Sequence, residues 1–584
     1  LSQIEELNLD EYKDNPLGLF GKLLQIWRQE IRNNDKKTTK IIVELNKKHG
    51  LDLCELALQA IDGGFRCFDA HNILKGAIPF IDHNLKSIFE YLKKLNNFMQ
   101  GDLDSGIQYR PIANLTNEQP QFARELLKDL IKSGEPFVVE YISTILENLP
   151  DVEIEDLHSE LLTLISHIEE PVVQGAVITL GNLKYDINTN KEIIEKTFIA
   201  FDKLLEKNSE AINRAVTSSL GELYYLGVEA QSRFLDLSKR NDPQINFQIS
   251  RFLLFQYKNI NNDEWFEEVL MMLSATHCQY KGIIDNIDHV LYGLLGVGNN
   301  LGLVERFFTE WLLNSDFQRS EHKLDSLFSS TLSKLSENAV FFDTLITKYL
   351  NHDNYKANQA ASELIKYSNL YKKRSINLDQ SIIKLLDIDD ILYICKKILG
   401  YLFDVKTLCS LIYSVLTAKP EDTKVRSLVY NIFLKHIGMD YLETTLEFLK
   451  EKLSATNLSE ELESTVGGIV DALESHQKMF KSLPLLNELL VPKRHMYQIF
   501  LEKSKNMNKA MEEAQESSIT SLIATKIPLK YGRSWFSYRN GKYCSPVNLS
   551  PFSHSIEIPR SEIDNPVSVS MQRAVFRMAK RGDS

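Results

Sequence analysis

Apolar residues recur along most of this chain at intervals of three and four, the spacing that gathers them on one face of a helix. Phe20 to Ile31 and Leu51 to Ile61 follow that spacing, as do Phe122 to Ile131, Leu303 to Leu313 and Phe341 to Leu350. Ile73 to Leu95 follows it with an interruption at Pro79, which predicts two helices rather than one. Ile382 to Leu416 and Val425 to Leu453 continue in the same manner. The breaks are short clusters of Asn, Asp, Gly or Pro, as expected of turns between neighbouring helices.

Laid over this pattern is an internal repeat. The segment from Glu170 to Leu183, EPVVQGAVITLGNL, aligns without gaps on Glu210 to Leu223, EAINRAVTSSLGEL, 40 residues further on. Weaker copies begin at Glu135 and at Asp242, so the period is roughly 33 to 40 residues, a length typical of helical solenoids. An acidic residue with Pro suits a helix start: Pro needs no N–H partner there, and the carboxylate meets the positive end of the helix. Gly175, Ala176 and Ala215 are small enough to let neighbouring helices approach, and Ala357 to Leu364 is a candidate for another such helix. These residues resemble the HEAT/armadillo superfamily over about residues 130–256. The resemblance implies an all-α chain, an α-solenoid of HEAT-like helical hairpins in which each pair shelters its neighbours' apolar faces. The expected divisions are an N-terminal helical region (1–120), the solenoid (121–515) and a C-terminal segment (516–584).

Composition agrees with a helical reading. The 584 residues include only 25 Gly and 16 Pro, few for a turn-rich β protein. The chain is too long for one compact core, since single cores stop growing near ~250–300 residues. Six scattered cysteines without a CxxC pair fit reduced thiols and provide no paired zinc ligands. No apolar run reaches the ~18 residues of a membrane span. The acidic start, Leu1 to Asp10, lacks the pattern of a signal peptide, so a cytoplasmic location is expected.

The character of the chain changes near Glu516. Residues 520–584 hold ten Lys/Arg against four Asp/Glu, a net of +6, whereas the preceding residues hold 57 against 75, a net of −18. Five of the sixteen prolines fall in this tail. The stretch from Trp535 to Tyr543 contains Asn540-Gly541 and predicts a β-hairpin, with a second strand pair expected at Ser555 to Ile558 and Val567 to Val569. Met571 to Arg581 predicts a short basic helix. The candidate partner or nucleic-acid contacts are Lys526, Lys530, Arg533, Trp535, Tyr538, Arg539, Lys542, Arg573, Arg577, Lys580 and Arg581. Cations interleaved with aromatics can neutralise phosphates and stack on bases. The competing expectation is that the tail folds back on its own acidic body and caps the last repeat.

Catalytic chemistry finds little support. Gly293, Gly296, Gly298 and Gly302 have GxGxxxG spacing between helical flanks, which predicts a turn rather than a phosphate loop. Asp387, Asp389 and Asp390 could suggest metal ligands, but they stand where a helix is expected to begin. The thirteen histidines include no HExxH and no paired metal spacing. Trp27, Trp265 and Trp311 are expected to pack between helices. No catalytic residue, cofactor or metal site is assigned. The leading expectation is a non-enzymatic scaffold or adaptor, a complex subunit gripping a basic or apolar protein partner on a curved helical surface. The alternative is a nucleic-acid-binding repeat subunit of a DNA-handling or host-defence complex, acting through the basic tail. A third reading places an enzyme site in the tail, at Tyr538, Arg539, His554 and Glu557.

Overall fold

The computed structural model describes residues 15–33, 37–99, 108–260, 264–296, 300–314, 323–372, 374–454, 458–484, 492–516, 534–535, 538–539, 542–543, 547–548 and 559–582. The chain divides into two compact units, Leu1–Phe307 and Phe308–Ser584, each with its own contiguous packing.

The first unit begins with α1 (Pro16–Asn33), α2 (Lys37–His49), α3 (Leu53–Asp62), α4 (Cys67–Leu74) and α5 (Leu85–Met99). The break expected at Pro79 is real: a 3-10 turn at Ile78–Phe80 separates α4 from α5. Then come α6 (Arg110–Glu118) and α7 (Pro120–Ser133), followed by α8 (Val138–Glu147), α9 (Ile154–Leu164), α10 (Glu170–Asn182) and α11 (Lys191–Glu206). The series continues through α12 (Glu210–Glu222), α13 (Val228–Ser238), α14 (Pro243–Ile260), α15 (Glu264–Met272) and α16 (Lys281–Gly296). From α7 onward these form hairpins whose second helices, α8, α10, α12, α14 and α16, pack on one another in one layer. The first helices form the other layer.

The repeat is visible in the hydrogen bonds. His158 Nε2 lies 2.9 Å from Thr197 Oγ1, 39 positions along the chain. The Ser219 hydroxyl donates to the Val177 carbonyl at 2.8 Å, 42 positions away, and Arg306 pairs with Glu267 across 39. Helices one repeat apart in sequence are therefore neighbours in space. The second-helix layer packs closely, as the small residues predict. A side chain at Gly175 would meet the Val139 carbonyl at 2.9 Å, and one at Gly181 would meet the Ser219 backbone at 2.5 Å. Ala176 is fully buried and Ala215 nearly so.

The second unit includes the second half of α17 (Leu301–Asn314), then α18 (Leu324–Leu327), α19 (Ser329–Leu335), α20 (Ala339–Leu350), α21 (Tyr355–Tyr367), α22 (Gln380–Leu385) and α23 (Ile388–Tyr401). It goes on with α24 (Val405–Ala418), α25 (Thr423–Ile432) and a π-turn at Phe433–Gly438. After these come α26 (Leu442–Leu453), α27 (Glu460–Ser482) and α28 (Lys493–Glu516). The hairpin pattern persists: α21, α23, α25 and α27 share one layer. Ser362 Oγ donates to the Tyr401 carbonyl 39 positions on, and Tyr393 Oη to that of His352 41 positions back. Short polar side chains start these helices: Asn338, Asn354, Asp379, Asp387, Asp404, Asp422 and Ser459 each accept from a first-turn N–H. Asp387 accepts from Asp390 N at 2.9 Å, so the aspartate cluster is a helix start, as expected.

Trp311 is fully buried and Trp265 donates from its indole to the Gln231 carbonyl at 2.9 Å, both in packing roles. The glycine-rich stretch bridges the end of α16 and the start of α17, with residues 297–299 outside the described residues.

The expected, partly β tail is not supported: strand among its described residues amounts to four two-residue pieces. Residues Tyr538–Arg539 pair antiparallel with Lys542–Tyr543, and Ser534–Trp535 with Val547–Asn548, each pairing two residues long. No larger sheet occurs among the described residues. The second expected strand pair is overturned, because Val567–Val569 lies inside a helix, α30 (Pro566–Met578), which follows the short α29 (Arg560–Asp564). Asn565 accepts from Ser568 N at 3.0 Å as the N-cap, and Pro566 stands at the first helical position. That start signal overrides the strand preference of the two valines. Ser555 to Ile558 lies outside the described residues.

Candidate functional site

Two faces gather side chains that the packing alone does not require. The first lies in the first unit, on the solvent side of the second-helix layer. In α10 and α12 the positions one helical turn apart, Gln174, Ile178 and Asn182 and their repeat equivalents Arg214, Ser218 and Glu222, all line one groove. The walls are completed by Val139 and Glu140 of α8 and by Phe247, Arg251 and Phe255 of α14, enclosing about 750 Å³. Phe255 is 67% exposed and Phe247 37%, and the Arg251 guanidinium stands 5.9 Å from the centre of the Phe255 ring. The groove walls strip water from Glu140 and raise its carboxyl above the usual range, while Arg251 and Arg214 pull it back down. Glu222 is raised by the same cause, again opposed by Arg251. Asn182 Nδ2 donates to Glu147 at 2.6 Å, tying α10 to α8 at the edge of the groove. The face is thus a mixed one, with aromatic, amide and cationic groups presented together to solvent.

The second face lies in the second unit and involves the tail. Helix α30 packs on α23 and runs antiparallel to it. Lys397 of α23 is only 3% exposed, and its ammonium donates to the carbonyls of Arg577 at 2.6 Å and Ala579 at 2.9 Å. Those carbonyls end α30 and lack intrahelical partners, so a cation is well placed there. Arg577 returns the arrangement, its Nε donating to the Gly400 carbonyl at the end of α23 at 2.7 Å. Arg581 bonds Asp353 at 2.6 Å and pairs also with Asp390 and Asn351. Each arginine also lies over an aromatic ring: Arg573 over Phe403 at 4.5 Å, Arg577 over Tyr401 at 5.6 Å and Arg581 over Tyr393 at 5.0 Å. At the other end of the segment Ser561 bonds the Asp440 carboxylate through its N–H and its hydroxyl, at 3.1 and 2.7 Å.

Of the candidate contacts read from sequence, Arg573, Arg577 and Arg581 are therefore brought together on the chain's own second unit. Lys580 follows them, exposed. Trp535, Tyr538, Arg539 and Lys542 lie in the two-residue strands, and Lys526, Lys530 and Arg533 lie outside the described residues. The tail folds back on its own unit, as the competing expectation has it, and docks chiefly on α23. The groove of the first unit went unnoticed in sequence, although the repeat alignment carried its signal in the outward positions four apart.

No protein-family model matches the chain, and no curated protein matches it. Among solved structures, the crystal structure of an engineered protein is similar at 14% identity, covering 79% of this chain and 99% of that one, with a TM-score of 0.18. The crystal structure of Kap121p bound to Ste12p is similar at 13% identity over 95% of this chain and 60% of that one, with a TM-score of 0.25. Scores this low bear no weight, and the architecture rests on the packing described above. Each unit is built of stacked helical hairpins. No helix among the described residues is long and apolar enough to cross a membrane, and no cluster of three or more His, Cys, Asp or Glu among them is placed to hold a metal. The five described cysteines form no disulfide and are buried, and burial pushes the Cys67 thiol up to about 11 and the Cys395 thiol up to about 12. Such thiols are protonated and poor nucleophiles at neutral pH.

Proposed function

We propose that this protein is a non-enzymatic scaffold or adaptor that binds a segment of a protein partner in the groove of its first unit. The observation that carries this reading is the run of outward side chains from four successive second helices, α8, α10, α12 and α14, into one open groove. A repeat layer gives a long surface with regularly placed contacts, which suits an extended chain or a helix of another protein. Phe247 and Phe255 supply apolar contact, Gln174, Gln248 and Gln256 supply hydrogen bonds, and Arg214 and Arg251 supply positive charge. Glu140 and Glu222 stand beside the two arginines, so the charges of the groove balance and its local chemistry favours a partner segment with apolar and hydrogen-bonding side chains, rather than the basic partner that the overall net charge suggests. The nucleic-acid alternative draws no support from the three arginines of α30 and its end, which are engaged with the second unit.

The test is co-purification of the full-length protein from its native source. A stoichiometric protein partner is expected with the wild type and lost with Arg251→Glu combined with Phe255→Asp, two exposed changes that leave the helical circular dichroism unchanged. A partner retained in full by that variant would rule the groove out as its binding site.

A further inference from the structure

Helix α30 turns arginines toward its unit together with the partly buried Phe576, which meets His436. Toward α23 it sends Arg573 and Arg577, with Arg581 just beyond its end. Toward solvent it sends Val567, Met571, Val575 and Met578, which are 66, 66, 60 and 70% exposed. No side chain of this helix is buried. A helix held by hydrophobic burial does the opposite. What holds this one is a receptor already shaped for it. Buried Lys397 reads the last carbonyls, Asp353 and Asp390 read the final arginine, and three aromatic faces take the guanidinium groups. Gly400 lets the two backbones meet, since a side chain there would stand 2.9 Å from Arg577 N.

We propose that this face of α23 is a docking site for a basic helix of a partner protein, with arginines at four-residue intervals and its terminal carbonyls over Lys397. Residues 559–582 are then a tethered self-ligand that keeps the site closed until such a helix displaces them. The chemistry of the site makes displacement feasible. Ion pairs with exposed partners, such as Arg581 with Asp353 (76% exposed), are weak and screened by salt, and no side chain of α30 is fully buried, Phe576 against His436 being the aromatic contact to withdraw. The tether makes the resting state the closed one, because a linked ligand acts at an effective concentration on the order of millimolar. This inference concerns the second unit and stands apart from the groove of the first.

The test uses the full-length chain and a fluorescent peptide of residues 559–584 as the probe. Wild-type chain is expected to take up little peptide. The chain carrying Arg577→Ala and Arg581→Ala, whose own tail is loosened, is expected to bind it at least tenfold more tightly. Adding Gly400→Leu, which improves the helix propensity of α23 but fills the space of the Arg577 backbone, is expected to abolish uptake. A second arm reverses the charges around the final arginine: Asp353→Arg with Asp390→Arg in the loosened chain weakens uptake, and a peptide with Arg581→Glu restores it. Failure of the loosened chain to bind the peptide overturns the proposal, as does uptake indifferent to both Gly400→Leu and the charge reversal. Either failure leaves partner capture by the first unit untouched, so the two readings fall separately.

Discussion

Glycine decides how closely the second-helix layer of the first unit packs. Gly181 faces Ser219 on the next repeat helix, and an added Cβ would stand 2.5 Å from both Ser219 Cα and Cβ. Backbone cannot yield there without moving the whole helix, so the small residue is a requirement of the stacking. Gly181→Ala is expected to lower stability by about 1–3 kcal/mol through overpacking, despite the better helix propensity of Ala. A Cβ added at Gly467 on α27 would meet nothing within 4 Å, and Gly467→Ala is expected to gain about 0.5–1 kcal/mol. Urea unfolding midpoints of the two variants check the contrast in sign. Lys397 shows the same dependence on neighbours. A lysine only 3% exposed is costly alone, but here it donates to two carbonyls and lies 4.7 Å from the centre of the Tyr393 ring.

Between elements, polar contacts fix which helices meet. His158 on α9 and Thr197 on α11 join two first-layer helices of consecutive repeats. The Thr197 hydroxyl donates to the Ile193 carbonyl at 2.9 Å, which leaves its oxygen to accept from His158. Burial lowers the His158 pKa below its ordinary value, and nearby Lys196 adds to the effect. The fold thus holds the neutral ring, while the unfolded chain takes up a proton near pH ~6.5. The stability from this neutral ring is present above that pH and is lost as pH falls toward the folded value. His158→Gln is expected to flatten part of the decline in melting temperature between about pH 7 and about pH 5. An unchanged pH slope would remove His158 as a contributor.

For the molecule as a whole, the consequence of stacking is that stability is local and passed between neighbours. Contacts recur one repeat apart, as in Arg124 with Glu160, Arg233 with Asp202 and Ser362 with Tyr401. Damage at Gly181 should therefore be felt most by α8, α10, α12 and α14, and progressively less with distance along the array. Hydrogen exchange of Gly181→Ala is expected to show lost protection concentrated at residues 138–260, with little change at residues 388–453. Uniform loss across both units would argue for a single cooperative block instead.

The helical class, the break at Pro79, the forty-residue repeat and the helix start at Asp387 were all legible in the sequence. They depend on residues within a turn or two of each other, or on a pattern copied from one repeat to the next. The outward stripe Gln174, Ile178, Asn182 and its copy Arg214, Ser218, Glu222 was equally present in the alignment, but only assembly with α8 and α14 makes it a groove. The helical fate of Val567 to Val569 turned on whether a local cap or a local strand preference prevailed. The seating of the tail on Lys397 and Gly400 joins residues about 180 positions apart, and no periodicity spans such a gap. Local chemistry writes helices and repeats into the chain, whereas contacts between distant segments exist only once packing has brought their surfaces together.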